Sequence, residues 1–238
     1  MSEVNKTERF LDKYKYLENV IKTEFNLGKN ESAMNFLIRQ KPFREYENEL
    51  DLCRETRNLL SHNPKLNGEY ALEPSDELIT FMDKIIDKIE NPLRAKDVMV
   101  PKNALCYRHM NASIREAMIA LRENSYKYIP ILEDGVLAGV FGAKTMLDIL
   151  INEETGGIDK NATFNEVREY VSLENADKGS IRFVSQETLV SDIGAMYRKS
   201  SERKERINLI FVTANGKVTE RILGIITAWE IAAEIDRM

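Results

Sequence analysis

The sequence is poor in the residues that hold metals and form disulfides. Among 238 residues there are two cysteines, Cys53 and Cys106, and two histidines, His62 and His109. The thiols are far apart, so they offer neither a disulfide framework nor a metal-ligand spacing. A chain with so few thiols suits a reducing compartment. No apolar run approaches the roughly 20 residues a membrane span needs. The opening segment MSEVNKTERF is polar and mixed in charge, unlike a signal or transit peptide, so the expected location is cytoplasmic. A glycine-rich phosphate loop and a nucleophile elbow are both missing. A net charge of −5 gives no global pull toward nucleic acid or anionic membrane; nothing signals DNA binding.

What is present is a globular mixture: 43% apolar and 31% charged residues, well away from the composition of disordered chains. The length allows two ordinary domains, or one built from repeated halves. Residues 1–92 read as helices only. The first has Asn5 as N-cap with Glu8 three residues on, an apolar stripe of Phe10, Tyr14, Leu17, Ile21 and Phe25, and Gly28 as its stop. A second starts near Asn30, carries Met34, Phe36, Leu37 and Ile38, and stops before Pro42. A third runs from about Arg44 to His62 and is halted by Pro64. A fourth follows Ser75, with Asp76 and Glu77 suited to its N-terminal dipole and Leu78, Phe81, Met82, Ile85, Ile86 and Ile89 as its buried face. Four helices with short connections predict a small bundle.

From Ala95 onward, strand-like runs alternate with helical ones, twice. The first copy has a strand at 104–107, a helix from Ser113, KYIPILE at 127–133, the turn Asp134-Gly135, VLAGVFG, and a helix beginning AKTMLDIL. The second has IRFVS at 181–185, a helix from Thr188, RINLIFV at 206–212, the turn Asn215-Gly216, RILGIIT, and a helix beginning AWEIAAEI. Both dipeptides favour the positive φ of tight hairpins. Strand order, turn chemistry and a post-strand glycine (Gly139, Gly224) all recur, so the unit is a duplicated β-α-β-β-α. The expected fold class is α+β: a helical domain at 1–92, then tandem repeats at 93–238, divided as 93–155 and 156–238.

This duplication resembles a pair of CBS domains. The carrying stretches are DVM at 97–99, SIREAM at 113–118, YIPILEDG at 128–135 and LAGVFGAKTMLDIL at 137–150. In the second copy they are TLVSDIGAM at 188–196, NLIFVTANGK at 208–217 and LGIITAWEIAAEI at 223–235. The resemblance implies a module that binds an adenine nucleotide (AMP, ADP, ATP or a relative) between its repeats and regulates an attached domain, without metal. The family's ligand motif is a glycine, two apolar residues, Thr or Ser, two residues, then an acid. The acid accepts from the ribose hydroxyls and the hydroxyl residue helps hold phosphate at a helix N-terminus. The second repeat has it from Gly224 to Glu230, with Thr227 and Glu230 in the two polar roles and Ile207 and Leu209 as lining. The first repeat departs from it, since Gly142 stands for the hydroxyl and Thr145 for the acid, while Lys144 is placed to meet a phosphate. On the residues alone, Thr227 caps the last helix and Glu230 is a first-turn acid. The basic run RKSSERKER at 198–206 reads as a solvated helix C-terminus, or as a phosphate-steering loop.

In the third helix, Arg57 falls on the stripe of Tyr46, Leu50, Cys53 and Leu60. An ever-charged side chain there needs a partner or a cavity. The string RNLLSH at 57–62 matches the Arg-Asn-x-x-x-His motif of HEPN domains, helical bundles of which many are metal-independent ribonucleases. That resemblance implies a site shared across a homodimer. In it His62 transfers the proton, Arg57 meets the developing phosphate charge, and Asn58 orients the pair on an RNA substrate. Without the resemblance, Arg57 pairs inside the bundle and His62 ends a helix.

Overall fold

Asn5 opens the first helix by accepting a hydrogen bond from the Thr7 amide at 2.9 Å. The structure, a computed structural model, describes residues 5–62, 65, 70, 72–152, 159, 161–175, 180–203 and 205–235. Two compact units result, Met1–Pro92 and Leu93–Met238.

The first unit is helical. Its described residues form α1 (Lys6–Glu24), α2 (Ala33–Arg39), a 3₁₀ turn (Lys41–Tyr46), α3 (Glu47–His62) and α4 (Asp76–Glu90). Glycine 28 does not end α1. Asn26 does, with a φ of 51°, while the amides of Asn26 and Leu27 return to the carbonyls of Thr23 and Lys22, a Schellman closure that asparagine can take. Phe10, Tyr14, Leu17, Ile21, Leu50, Cys53, Ile79, Met82 and Ile85 form the core. The ties Lys6–Asp76, Lys13–Asp83 and Tyr16–Glu90 follow the same order on both helices, so α1 and α4 run parallel. An up-and-down succession of four helices would set them antiparallel.

The second unit continues with α5 (Ala95–Val98), β1 (Val100–Pro101), β2 (Arg108–His109), α6 (Ile114–Asn124), β3 (Tyr128–Glu133), β4 (Val136–Gly142) and α7 (Ala143–Asn152). It then runs through α8 (Arg168–Val171), β5 (Ile181–Ser185), α9 (Val190–Glu202), β6 (Leu209–Thr213), β7 (Gly224–Ile226) and α10 (Ala228–Ile235). The strand expected at 104–107 is displaced to β2, because Lys102–Ala104 winds into a 3₁₀ turn. Asp134 and Gly135 both take positive φ, 51° and 86°, and close the expected tight hairpin. At the second turn only Gly216 does so, and β6 and β7 are joined by the loop 214–223, where Glu220 accepts from the amide and side chain of Asn215.

The two sheets do not follow the sequence repeats. One is ordered β1-β7-β6-β5 and the other β2-β3-β4. β1, which precedes the first repeat, pairs with β7 of the second, Val100 opposite Ile225. Residues 163–172, which precede the second repeat, bridge to the first through Ser113–Thr163 and Gly139–Ser172. The cores repeat this exchange: Ala95 packs with Val190, Ile193 and Ile226, whereas Phe164, Val167 and Val171 pack with Ile129, Ile131 and Phe141. Two glycines make room for the crossing chains. A Cβ on Gly139 would overlap the Val171 carbonyl oxygen, and one on Gly224 would overlap that of Val100. Between the sheets lies a separate apolar layer of Leu132, Leu137, Leu209, Phe211 and Ile222.

Candidate functional site

A cleft opens at the rim of this inter-sheet layer. One wall is α7, whose cleft-facing residues are Lys144, Thr145 and Asp148, spaced i, i+1 and i+4 so that they share a face. Met146 and Ile149 of the same helix turn to the first repeat's core. The floor is Tyr128 and Val140 from β3 and β4. The opposite wall comes from the crossing segment (Tyr170, Ser172, Asn175) and from the starts of β5 and β6 (Ser180, Ile181, Asn208, Leu209). The Asn208 amide donates to the Ser180 carbonyl at 2.7 Å, which fixes the two strand starts side by side. The cleft thus offers two aromatic rings, an apolar floor, several neutral hydrogen-bonding groups, one ammonium and one carboxylate. That set can hold a flat heteroaromatic ring with a polyhydroxylated, anionic appendage.

Of the residues expected to bind nucleotide, the cleft gathers Lys144, Thr145 and Leu209. Thr227 and Glu230 lie outside its lining and hold each other. Glu230 accepts from the Thr227 amide at 2.7 Å and from its hydroxyl at 2.6 Å, while the Trp229 amide donates to the Thr227 oxygen. This is N-cap chemistry on α10. Their neighbour Tyr197 donates to the Ile226 carbonyl at 3.4 Å; its phenol is held above its ordinary pKa, chiefly by burial and further by the Glu230 charge. Ile207 packs in the second repeat's core rather than in the cleft. Asp148, Tyr128, Tyr170 and Asn208 were not anticipated. The available signal was spacing, since Asp148 is one helical turn beyond Thr145.

The basic run ends α9 with Arg198, Lys199 and Arg203 exposed. Lys204 lies outside the described residues, and Arg182 pairs with Glu205 at 3.5 Å. His109 is exposed, with Nδ1 3.3 Å from the Leu132 carbonyl oxygen.

In α3, Thr56 takes the inward position beside Cys53 and Leu60, and Arg57 stands at the edge, half-buried. Its guanidinium carbon lies 5.7 Å from the centre of the buried Tyr14 ring, and Nη1 donates to Asn58 Oδ1 at 3.1 Å. That answers the demand for a partner on this stripe: an aromatic face and an amide rather than an acid. His62 is exposed at the last residue of α3. No hydrogen bond joins it to Arg57 among the described residues.

Residues 95–152 match the model of the CBS domain family, and a CBS domain stands there. No curated protein matches the chain. Among solved structures the chain is similar to a CBS domain-containing protein of unknown function from Bacillus anthracis str. Ames Ancestor. The two share 19% identity over 63% of this chain and 98% of the other, with a TM-score of 0.43. It is similar to CBSX2 in complex with AMP at 18% identity, over 60% of this chain and 96% of that one, TM-score 0.43. It is also similar to the CBS domain of a bacterial CNNM/CorC family Mg2+ transporter in complex with ATP. There the identity is 19%, over 65% of this chain and 94% of that one, TM-score 0.42. The matched family model lies wholly in the second unit, so the HEPN resemblance of the first rests on its motif alone. No helix among the described residues is long and apolar enough to cross a membrane. No cluster of three metal-ligating side chains occurs among the described residues.

Proposed function

We propose that this CBS-containing chain is a cytoplasmic regulatory protein whose paired repeats bind an adenine nucleotide and thereby control the helical unit. The observation that carries this is the cleft between α7 and the starts of β5 and β6, built from both repeats at once. A ligand there touches the two sheets together. The β5 and β6 it touches belong to the same sheet as β1, the strand nearest the helical unit in sequence. That connector is tied to the second repeat by Leu93 accepting from the Val190 amide, by Ala95 donating to Thr188, and by Lys102 donating to Leu223. Nucleotide binding therefore acts on a sheet that holds the chain's exit toward the helical unit, the physical requirement for coupling two sites.

In the same proposal the helical unit is a HEPN-like bundle and the protein is a homodimer. Two RNLLSH segments then form one site that cuts RNA without metal, with His62 moving the proton and Arg57 meeting the phosphate charge. A second possibility is favoured by one observation. Within a protomer Arg57 is engaged by Tyr14 and Asn58, apart from His62, as suits a non-catalytic dimerisation or adaptor unit.

Two measurements test these statements. Titration calorimetry of the full chain with AMP, ADP and ATP is expected to show binding that weakens in Lys144→Ala; no heat with any of the three overturns the nucleotide proposal. Incubation with single-stranded and structured RNA in chelator, with and without nucleotide, is expected to show cleavage that Arg57→Ala and His62→Ala abolish. Absence of cleavage under every condition removes the ribonuclease and leaves the adaptor.

A further inference from the structure

The first repeat lacks both polar residues of the ligand motif, and the structure supplies a reason and a substitute. A Cβ on Gly142 would stand 2.8 Å from the Lys127 carbonyl oxygen and 2.9 Å from Tyr128 Cδ1. A threonine or serine there would have to push the backbone of the preceding strand, so this position is closed to a hydroxyl. Thr145, where the acid belongs, turns its hydroxyl back to donate to the Val140 carbonyl at 3.4 Å. The cleft is nevertheless not without a carboxylate. Asp148 brings one into its lining from the next turn of α7, on the face shared with Lys144 and Thr145. Among the described lining residues it is the sole acid and Lys144 the sole cation. The remaining polar groups of the facing wall, Ser172, Asn175, Ser180 and Asn208, are neutral.

A carboxylate is an acceptor-only group with two oxygens, matched to two adjacent hydroxyl donors. Hydrogen bonds to an ionised acceptor are about twice as strong as neutral ones. A vicinal ribose diol is therefore what an isolated carboxylate in a cleft of tyrosines and amides reads best. Lys144, four residues before Asp148, is placed for the ligand's anionic group.

Resting on the nucleotide proposal above, we propose that Asp148, displaced one helical turn from the motif's acid position, is the ribose-reading residue of this cleft, which makes it selective for a ribonucleotide over its 2′-deoxy counterpart. Thr145 has no part in that choice.

The test compares AMP with 2′-deoxy-AMP by calorimetry on the full chain, as wild type, Asp148→Asn and Thr145→Val. Wild type is expected to prefer AMP by about tenfold or more, the effect of losing a charge-assisted hydrogen bond. Asp148→Asn is expected to bring the two ligands within about threefold, and Thr145→Val to keep the wild-type preference. Equal binding of the two ligands by wild type overturns the proposal without needing any variant to fold, and so does a full preference retained in Asp148→Asn. If wild type binds AMP and 2′-deoxy-AMP equally well, the nucleotide proposal stands and only the role of Asp148 falls. If it binds neither, nor ADP nor ATP, both fall.

Discussion

Gly224 and the Val100 carbonyl occupy ground that no side chain can share. A Cβ on Gly224 would overlap that oxygen and reach within 2.8 Å of Met99 Sδ. Backbone cannot swing aside as a flexible side chain can, so Gly224→Ala is expected to detach β1 from β7 rather than compress a rotamer. The cost should be about 2 kcal/mol or more, the range of overpacking in a tight core. Hydrogen exchange should rise at residues 95–101 ahead of the rest of the second unit. Unchanged protection there would show that β1 does not depend on this contact.

Thr227→Ala removes the hydroxyl that accepts from the Trp229 amide and donates to Glu230. Loss of such a cap costs about 1 kcal/mol, which urea unfolding of the ligand-free chain can resolve. Because Thr227 and Glu230 lie outside the α7 cleft, the AMP-induced stabilisation is expected to survive in this variant. If it vanishes while the fold persists, the ligand uses the α10 end.

The contrast between these two sites shows what the sequence made legible. Duplication was readable because glycine, turn and apolar strand recur in order, and the helical stretch before Pro92 was readable from its periodicity. The exchange of crossing segments was not, since residues 163–172 carry no repeat signature of their own and their partners are fixed only when the sheets form. Matching by motif position drew attention to Thr145 and Glu230, whereas the side chain in the cleft is Asp148. Helical geometry, in which i and i+3 share a face, was the cue. Gly142 looked like a lost hydroxyl and is instead a close approach to Lys127 and Tyr128. For Arg57, periodicity located the charge on the stripe but could not show that Thr56 takes the inner place.

Arg57 and Tyr14 support each other whether or not the helical unit is catalytic. With the guanidinium 5.7 Å from the ring centre, Arg57→Ala is expected to lower stability by about 0.5–1 kcal/mol, the scale of a cation–π contact at a partly exposed site. Arg57→Ala made in a Tyr14→Leu background should cost less, and that difference is the coupling energy of the pair. Additive costs in the cycle would mean that the two side chains do not interact.

The two thiols should react at very different rates. Cys53 is fully buried in the helical core, and burial pushes its thiol up to about 12, so almost no thiolate exists at neutral pH. Cys106 is partly exposed, with Arg108 Nη1 3.5 Å from its sulfur. Titration of the native chain with a chromogenic disulfide is expected to release one equivalent quickly and the second only on unfolding. Prompt release of two equivalents would show that the helical core opens readily.

Acid should weaken the loop between β6 and β7 in a defined window. Glu220 accepts hydrogen bonds from the side chain and the backbone of Asn215, and these lower its pKa from 4.5 to about 2. A carboxyl group with a depressed folded-state pKa contributes stability that is fully present above its unfolded value. That contribution is lost as pH falls from about 4.5 toward 2. Glu220→Gln lacks the titration, so its stability relative to wild type should be constant from pH 7 to pH 5 and the gap should narrow below pH 4.5. Thermal melts of the two proteins across this range measure it. A gap that stays constant to pH 3 would mean that Asn215 does not hold the carboxylate in solution.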